Sequence, residues 1–238
     1  MVGSKIVQRL VAHGYKVRTL SRSKYFDDPD IELFRGGIED GEVLKSFMYN
    51  ADLLFHCAAE LRDESKMWDV NVLGTKRLLC IAQESNIRYL CYLSSAGVIG
   101  LTDSQLVDET SKCQPQNHYE KSKVAAEELV AKGIDRCSTF ESPECFFVSC
   151  DHERFNTVGG LWSLYEDIQQ NRFVERIVPK ICLPIIVPYI LRRLWRGSCN
   201  YGNVRYSSDK LLSTGFRYSL GVEGAVRNIA TSWRIQVS

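Results

Sequence analysis

Strand-like and helix-like segments alternate through the first 135 residues, and this alternation restricts the chain to a parallel sheet covered by helices. Lys5 to His13 places Ile6, Leu10 and Val11 on one helical face, and Gly14 then stops it. Tyr15–Leu20 reads as a strand and Ile31–Phe34 as a short one. Glu42 to Phe47 suits a helix, Asp52–Cys57 a strand, and Asn71 to Glu84 a helix. Tyr89–Leu93 is then a strand and Tyr119 to Lys132 a helix. Helices of these lengths between strands make crossover units, whose strands lie parallel and buried on both faces. The expected fold class is α/β, a doubly wound parallel sheet.

Beyond Lys132 the pattern is looser. Cys145–Ser149 looks like one more strand, and Thr157 to Gln170 suits a helix capped by Asn156 or Thr157. Short helical stretches are expected near 208–212 and 222–232. The boundary is placed at 150, giving a sheet domain over 1–150 and a small, mostly helical region over 151–238.

The 238 residues carry a net charge of +1, which excludes a general nucleic-acid binder because no basic surplus exists to neutralise phosphates. Nine cysteines are scattered, odd in number and without a Cys-x-x-Cys pair, so no metal site is expected and free thiols in a reducing cytoplasm are. The N-terminus passes directly into an amphipathic helix, which is not the pattern of a signal peptide. One segment points toward a membrane. Lys180–Arg196 holds an unbroken apolar run from Ile181 to Leu191, followed by Arg192, Arg193, Trp195 and Arg196. Eleven residues with two prolines are too short to span a bilayer. The segment suits either a buried helix or pocket wall, the favoured reading, or a peripheral contact lying in the membrane interface.

Chemistry concentrates in Tyr119-Glu120-Lys121-Ser122-Lys123, preceded by a strand that runs into Ser94 and Ser95. A tyrosine and a lysine four apart share one helix face. The ammonium favours the phenolate, which makes the tyrosine a proton donor and acceptor near neutral pH. A serine at the strand end can orient the same substrate oxygen. With 11 Tyr and 12 Lys in the chain, about half a Tyr-x-x-x-Lys match is expected by chance. There are two. Tyr206–Lys210 has no partner strand and runs into Thr214-Gly215, so the first match carries the expectation.

These residues resemble an extended short-chain dehydrogenase/reductase, the superfamily of NAD-dependent epimerases/dehydratases and 3β-hydroxysteroid dehydrogenases. Val2-Gly3-Ser4-Lys5-Ile6-Val7 resembles the end of a glycine-rich turn entering the first helix, and Val17–Ser23 the end of the second strand. His56-Cys57-Ala58-Ala59, Asn71-Val72-Leu73-Gly74-Thr75, Leu93–Gly100 and Pro115–Lys123 follow in family order. The resemblance implies a Rossmann-type fold over 1–150 that binds a dinucleotide, with a substrate region after it. It implies Tyr119 as acid/base, Lys123 as the residue that tunes it and holds the nicotinamide ribose, and Ser95 as the substrate-orienting hydroxyl. Gly3, Arg22, Ile38, Ala58, Ala59 and Asn71 would line the cofactor, although Asn71 also reads as a plain N-cap and Ala58 and Ala59 as core alanines. At the end of the second strand Arg22 stands where an acidic residue favours NAD, so NADP is expected ahead of NAD.

The implied reaction is hydride transfer at a carbinol or carbonyl carbon of a sterol-like or nucleotide-sugar substrate, and a homodimer is among the implied assemblies. The family pattern also places a strand and two further glycines before Gly3, and a longer segment after the Tyr-Lys helix, than this chain carries. Weakened dinucleotide binding is therefore expected, and a non-catalytic remnant serving as a binding or scaffold protein, at a membrane surface among other places, is the alternative.

Overall fold

A computed structural model describes residues 2–23, 28–85, 87–102, 104, 106–135, 144–149 and 204–228, with Leu164, Asp167, Ile168, Val187, Ile190, Leu191, Leu194 and Trp195. The chain divides into two compact units. Met1–Leu101 with Lys112–Glu144 form the first, and Thr102–Ser111 with Cys145–Ser238 the second.

In the first unit, α1 (Val2–Ala12) leads to β1 (Val17–Ser21), β2 (Ile31–Arg35) and α2 (Gly41–Met48). Gly14 closes α1 with φ +79°, the left-handed conformation glycine adopts at least cost. β1 and β2 run parallel, from Val17 opposite Ile31 to Ser21 opposite Arg35. α2 starts where Asp40 accepts a hydrogen bond from Val43 N at 3.1 Å. Its Leu44 and Met48, one turn apart, are fully buried. β3 (Leu53–His56) and β4 (Tyr89–Tyr92) form a second parallel pair, Leu53 opposite Tyr89 through His56 opposite Tyr92.

Between β3 and β4 lie α3 (Glu64–Trp68), a π-helical segment (Asp69–Gly74) and α4 (Thr75–Gln83). Ile38, Leu44, Met48, Leu54, Leu78, Ile81, Ala82 and Ile87 make one core, against which Leu20 of β1 and Leu90 of β4 also pack. Burying each such aliphatic side chain stabilises by roughly 1.5–3 kcal/mol, so this shared core unites two pairs that have separate hydrogen-bond ladders. Gly74 belongs to that packing: a Cβ there would stand 2.7 Å from Ile38 Cγ2. A 3-10 turn (Ala96–Ile99) and α5 (His118–Asp135) complete the unit.

In the second unit, β5 (Leu106–Val107) pairs in parallel with β6 (Arg205–Tyr206), followed by α6 (Asp209–Ser213) and a helix over 221–228. Tyr206 lies in a strand and Lys210 in the next helix, where its ammonium donates to Cys145 O at 3.0 Å. The second Tyr-x-x-x-Lys match is thus a structural contact.

The α/β fold and its parallel strands agree with the sequence. Three local expectations need correction. The helix expected to open at Asn71 opens at Glu64, where Asp63 caps it by accepting from Ser65 N at 3.2 Å. Asn71 lies inside the π segment and is no N-cap. The strand expected at Cys145–Ser149 forms no ladder, because side chains take its amides: Phe147 N donates to Glu109 Oε1 at 2.6 Å and Ser149 N to Ser208 Oγ at 2.8 Å. Third, Val187, Ile190, Leu191, Leu194 and Trp195 are helical but exposed, against the favoured buried reading of Lys180–Arg196. Of the helix expected over 157–170, Leu164, Asp167 and Ile168 are described and helical; the rest lies outside the described residues.

Candidate active site

The site is built where α5 meets the end of β4. Asn117 and Glu120 form a reciprocal capping box: Glu120 N donates to Asn117 Oδ1 at 2.8 Å, while Glu120 Oε2 accepts from Gln116 N at 2.7 Å and Asn117 N at 3.4 Å. Tyr119, half-buried, therefore sits in a fixed first turn. The turn after β4 is pressed against it. A Cβ on Gly97 would lie 3.5 Å from Glu120 Cγ and 3.2 Å from Ser95 Oγ. Ser95 Oγ caps this 3-10 turn, accepting from Gly97 N at 3.2 Å and keeping its own hydrogen to donate. The turn closes at Gly100, φ +63°, where any side chain would strike Gln114 O.

One turn beyond Tyr119, Lys123 is 1% exposed. Its ammonium donates to Leu93 O at 2.8 Å and lies 4.2 Å from the Tyr92 ring centroid. Burial lowers its pKa to about 8, opposed by Glu127 and Cys57. Glu127 is itself pushed up by burial, opposed by the Ser94 hydroxyl and by Lys123. Ser94 Oγ acts on that carboxylate through proximity, since it makes no hydrogen bond of normal geometry. The buried Tyr92 hydroxyl also lacks a partner, and burial, Glu127 and Tyr119 raise its pKa.

Asn71 ties three elements together. Its Oδ1 accepts from Glu60 N at 2.7 Å, and its Nδ2 donates to Glu60 O at 3.1 Å and to Ser122 Oγ at 2.9 Å. Ser122 Oγ in turn donates to Tyr119 O at 2.7 Å. Thr75 Oγ1 donates to Asn71 O at 2.6 Å and so accepts from His56 Nε2 at 2.8 Å, which fixes the Nε2–H tautomer. Burial, and then Lys123, lower the His56 pKa to about 4, so this ring is neutral at pH 7.

The remaining predicted residues lie at the carboxyl ends of β1 and β3 or in the core. Gly3 meets Cys57: a Cβ on it would be 3.4 Å from Cys57 Cβ, which sets the first turn of α1 against the end of β3. Ala58 and Ala59 are exposed in the following loop, so neither is a core alanine. Arg22 is exposed just after β1, close enough to Lys66 to lower that lysine's pKa, although Asp63 raises it more. Ile38 is buried in the core against Gly74. Sequence reasoning assigned no role to Ser122, Glu127, Thr75 or His56. The fourth-residue spacing of Lys123 and Glu127 was the one local signal available. Among the described residues no group of three or more His, Cys, Asp and Glu could hold a metal.

Residues 1–140 match the sequence profile of the NAD dependent epimerase/dehydratase family. The chain belongs to that family. A relative from Escherichia coli O157:H7, N-acetyl-alpha-D-glucosaminyl-diphospho-ditrans,octacis-undecaprenol 4-epimerase, is 29% identical over 59% of this chain and 43% of its own length. Human sterol-4-alpha-carboxylate 3-dehydrogenase, decarboxylating, is 26% identical over 56% of this chain and 38% of its own. The chain thus spans about two fifths of the length of the curated relatives it matches. The fold is also that of a short-chain dehydrogenase/reductase superfamily protein from Agrobacterium tumefaciens with bound NAD. That likeness has TM-score 0.68 at 18% identity and covers 100% of this chain and 95% of the other.

This member of the epimerase/dehydratase family has surfaces that fit a dinucleotide. Open α/β sheets bind ligands beyond the carboxyl ends of their strands. Here those ends carry a close glycine contact at Gly3, two small exposed side chains at Ala58 and Ala59, and the exposed cation of Arg22.

Proposed function

We propose that the chain is the catalytic part of an NAD(P)-dependent oxidoreductase or epimerase in which Tyr119 moves the proton of a substrate hydroxyl. The observation that carries this reading is Lys123. A buried ammonium beside a tyrosine costs stability that a purely structural helix would avoid. When bound, the nicotinamide supplies a hydride acceptor or donor for the substrate carbinol or carbonyl carbon. The chain's own residues supply the rest. Ser95 donates its hydroxyl hydrogen to the substrate oxygen and Tyr119 takes or returns the proton. Lys123 spends one donor on Leu93 O, leaving two to favour the phenolate and hold the ribose. Asn71 holds α5 in place through Ser122, and Gly3, Ala58 and Ala59 allow the cofactor close to the backbone. Ile38 would support the adenine side from the core, and Arg22 would pair with the extra phosphate of NADP. The relatives' names motivate a ring alcohol on a sterol-like or sugar substrate.

Fluorescence titration of the full chain with NADPH and with NADH tests the cofactor. Saturable binding that favours NADPH, with the preference lost in Arg22→Ala, is expected. No binding of either would support the second reading, a non-catalytic remnant, which is favoured by the separate ladders of β1–β2 and β3–β4. For the chemistry, Tyr119→Phe should lower turnover of a sterol or sugar alcohol by roughly 10²–10⁴-fold with unchanged cofactor affinity. Unchanged turnover would remove Tyr119 from the mechanism.

A further inference from the structure

A second functional surface lies in the other unit and is independent of the oxidoreductase reading. Val187, Ile190, Leu191, Leu194 and Trp195 are all helical, and their spacing of three and four falls on one helix face. In a helix packed on a core this stripe would be the buried one. All five residues are exposed, and exposure rises along the stripe to 80% at Leu194 and 91% at Trp195.

Charge decides what covers the stripe. From Arg176 to Ser208 the sequence contains six basic residues (Arg176, Lys180, Arg192, Arg193, Arg196 and Arg205) and no Asp or Glu, in a chain whose net charge is +1. Basic charge is therefore concentrated around the apolar stripe and balanced elsewhere. The 11-residue apolar run is broken by Pro184 and Pro188, and among the described residues no helix is long and apolar enough to cross a membrane. An exposed apolar helix face with tryptophan at its end and clustered arginines is the pattern of a segment lying in a bilayer interface.

We propose that residues 187–195 dock on the surface of an anionic phospholipid bilayer, with the five apolar side chains entering the acyl boundary and the neighbouring arginines pairing with lipid phosphates. The test is co-sedimentation of the full chain with phosphatidylcholine vesicles and with mixed phosphatidylcholine–phosphatidylserine vesicles. Binding to the mixed vesicles is expected, weakening at high salt. Leu191→Asp with Leu194→Asp should abolish it. Arg192→Ala with Arg193→Ala should weaken it roughly thirtyfold, at about fivefold per basic residue. Trp195 emission should shift to the blue on vesicle addition, and the shift should vanish in Trp195→Phe, a variant that leaves folding untouched at so exposed a position. A chain that stays in the supernatant with phosphatidylserine vesicles, or Asp variants that sediment like the parent, would overturn the proposal. Asp variants that convert an oligomer to a monomer without affecting vesicle binding would also overturn it, by assigning the stripe to a protein partner. NADPH titration of the same variants should be unchanged, so failure here leaves the cofactor reading standing.

Discussion

Lys123 is the residue where stability and proposed activity oppose each other. Folding holds its pKa at about 8 against an ordinary 10.5. Between those values the unfolded chain binds more protons than the folded one, so stability rises with pH across the window. The full shift corresponds to about 3 kcal/mol, absent below pH 8 and complete above 10.5. Lys123→Met should therefore be more stable than the parent at pH 7, by up to about 3 kcal/mol, and should lose the rise between pH 8 and 10.5. Urea denaturation across that range checks this. A parent whose stability is flat from pH 8 to 10.5 would mean that Lys123 stays hydrated. The same variant should be catalytically dead, since the methionine thioether has no proton to donate.

At the scale of elements, Asn71 is the joint. One amide satisfies both backbone groups of Glu60 and reaches Ser122 on α5, so Asn71→Ala strands several buried polar atoms at once. A loss of about 2–4 kcal/mol is expected, at 1–3 kcal/mol per unsatisfied group with partial relaxation. Asn71→Asp keeps the acceptor and loses both donors, and should fall between. Denaturant midpoints order the three proteins, and equal midpoints would show the clasp to be idle. How legible such joints are depends on range. The Asn117–Glu120 cap and the Tyr119–Lys123 spacing are local, so α5 and its proposed role could be read directly from the sequence. Asn71 could not, because its partners lie 11 and 51 residues away and the helix that carries it starts earlier, at the Asp63 cap. Cys145–Ser149 has strand-forming residues, yet Glu109 and Ser208, distant in sequence, supply the acceptors that decide its conformation. The apolar stripe over 187–195 was visible as hydrophobicity; only the fold shows that it faces outward.

For the whole molecule, the division into two units predicts unfolding that is not two-state. Every proposed catalytic and cofactor residue lies in the first unit. Calorimetry should resolve two transitions, with NADPH at 100 times its dissociation constant raising only one, by about 2.7 kcal/mol. A single transition that shifts as a whole would mean the units melt together. One face of the β3–β4 pair, carrying Leu53, Phe55, Tyr89 and Cys91, is exposed while Leu54 and His56 of β3 are buried beneath it. In the test tube that face makes the protein easy to salt out. Sulfate strengthens apolar association, so the chain should precipitate early in an ammonium sulfate cut and concentrate poorly without detergent or arginine in the buffer.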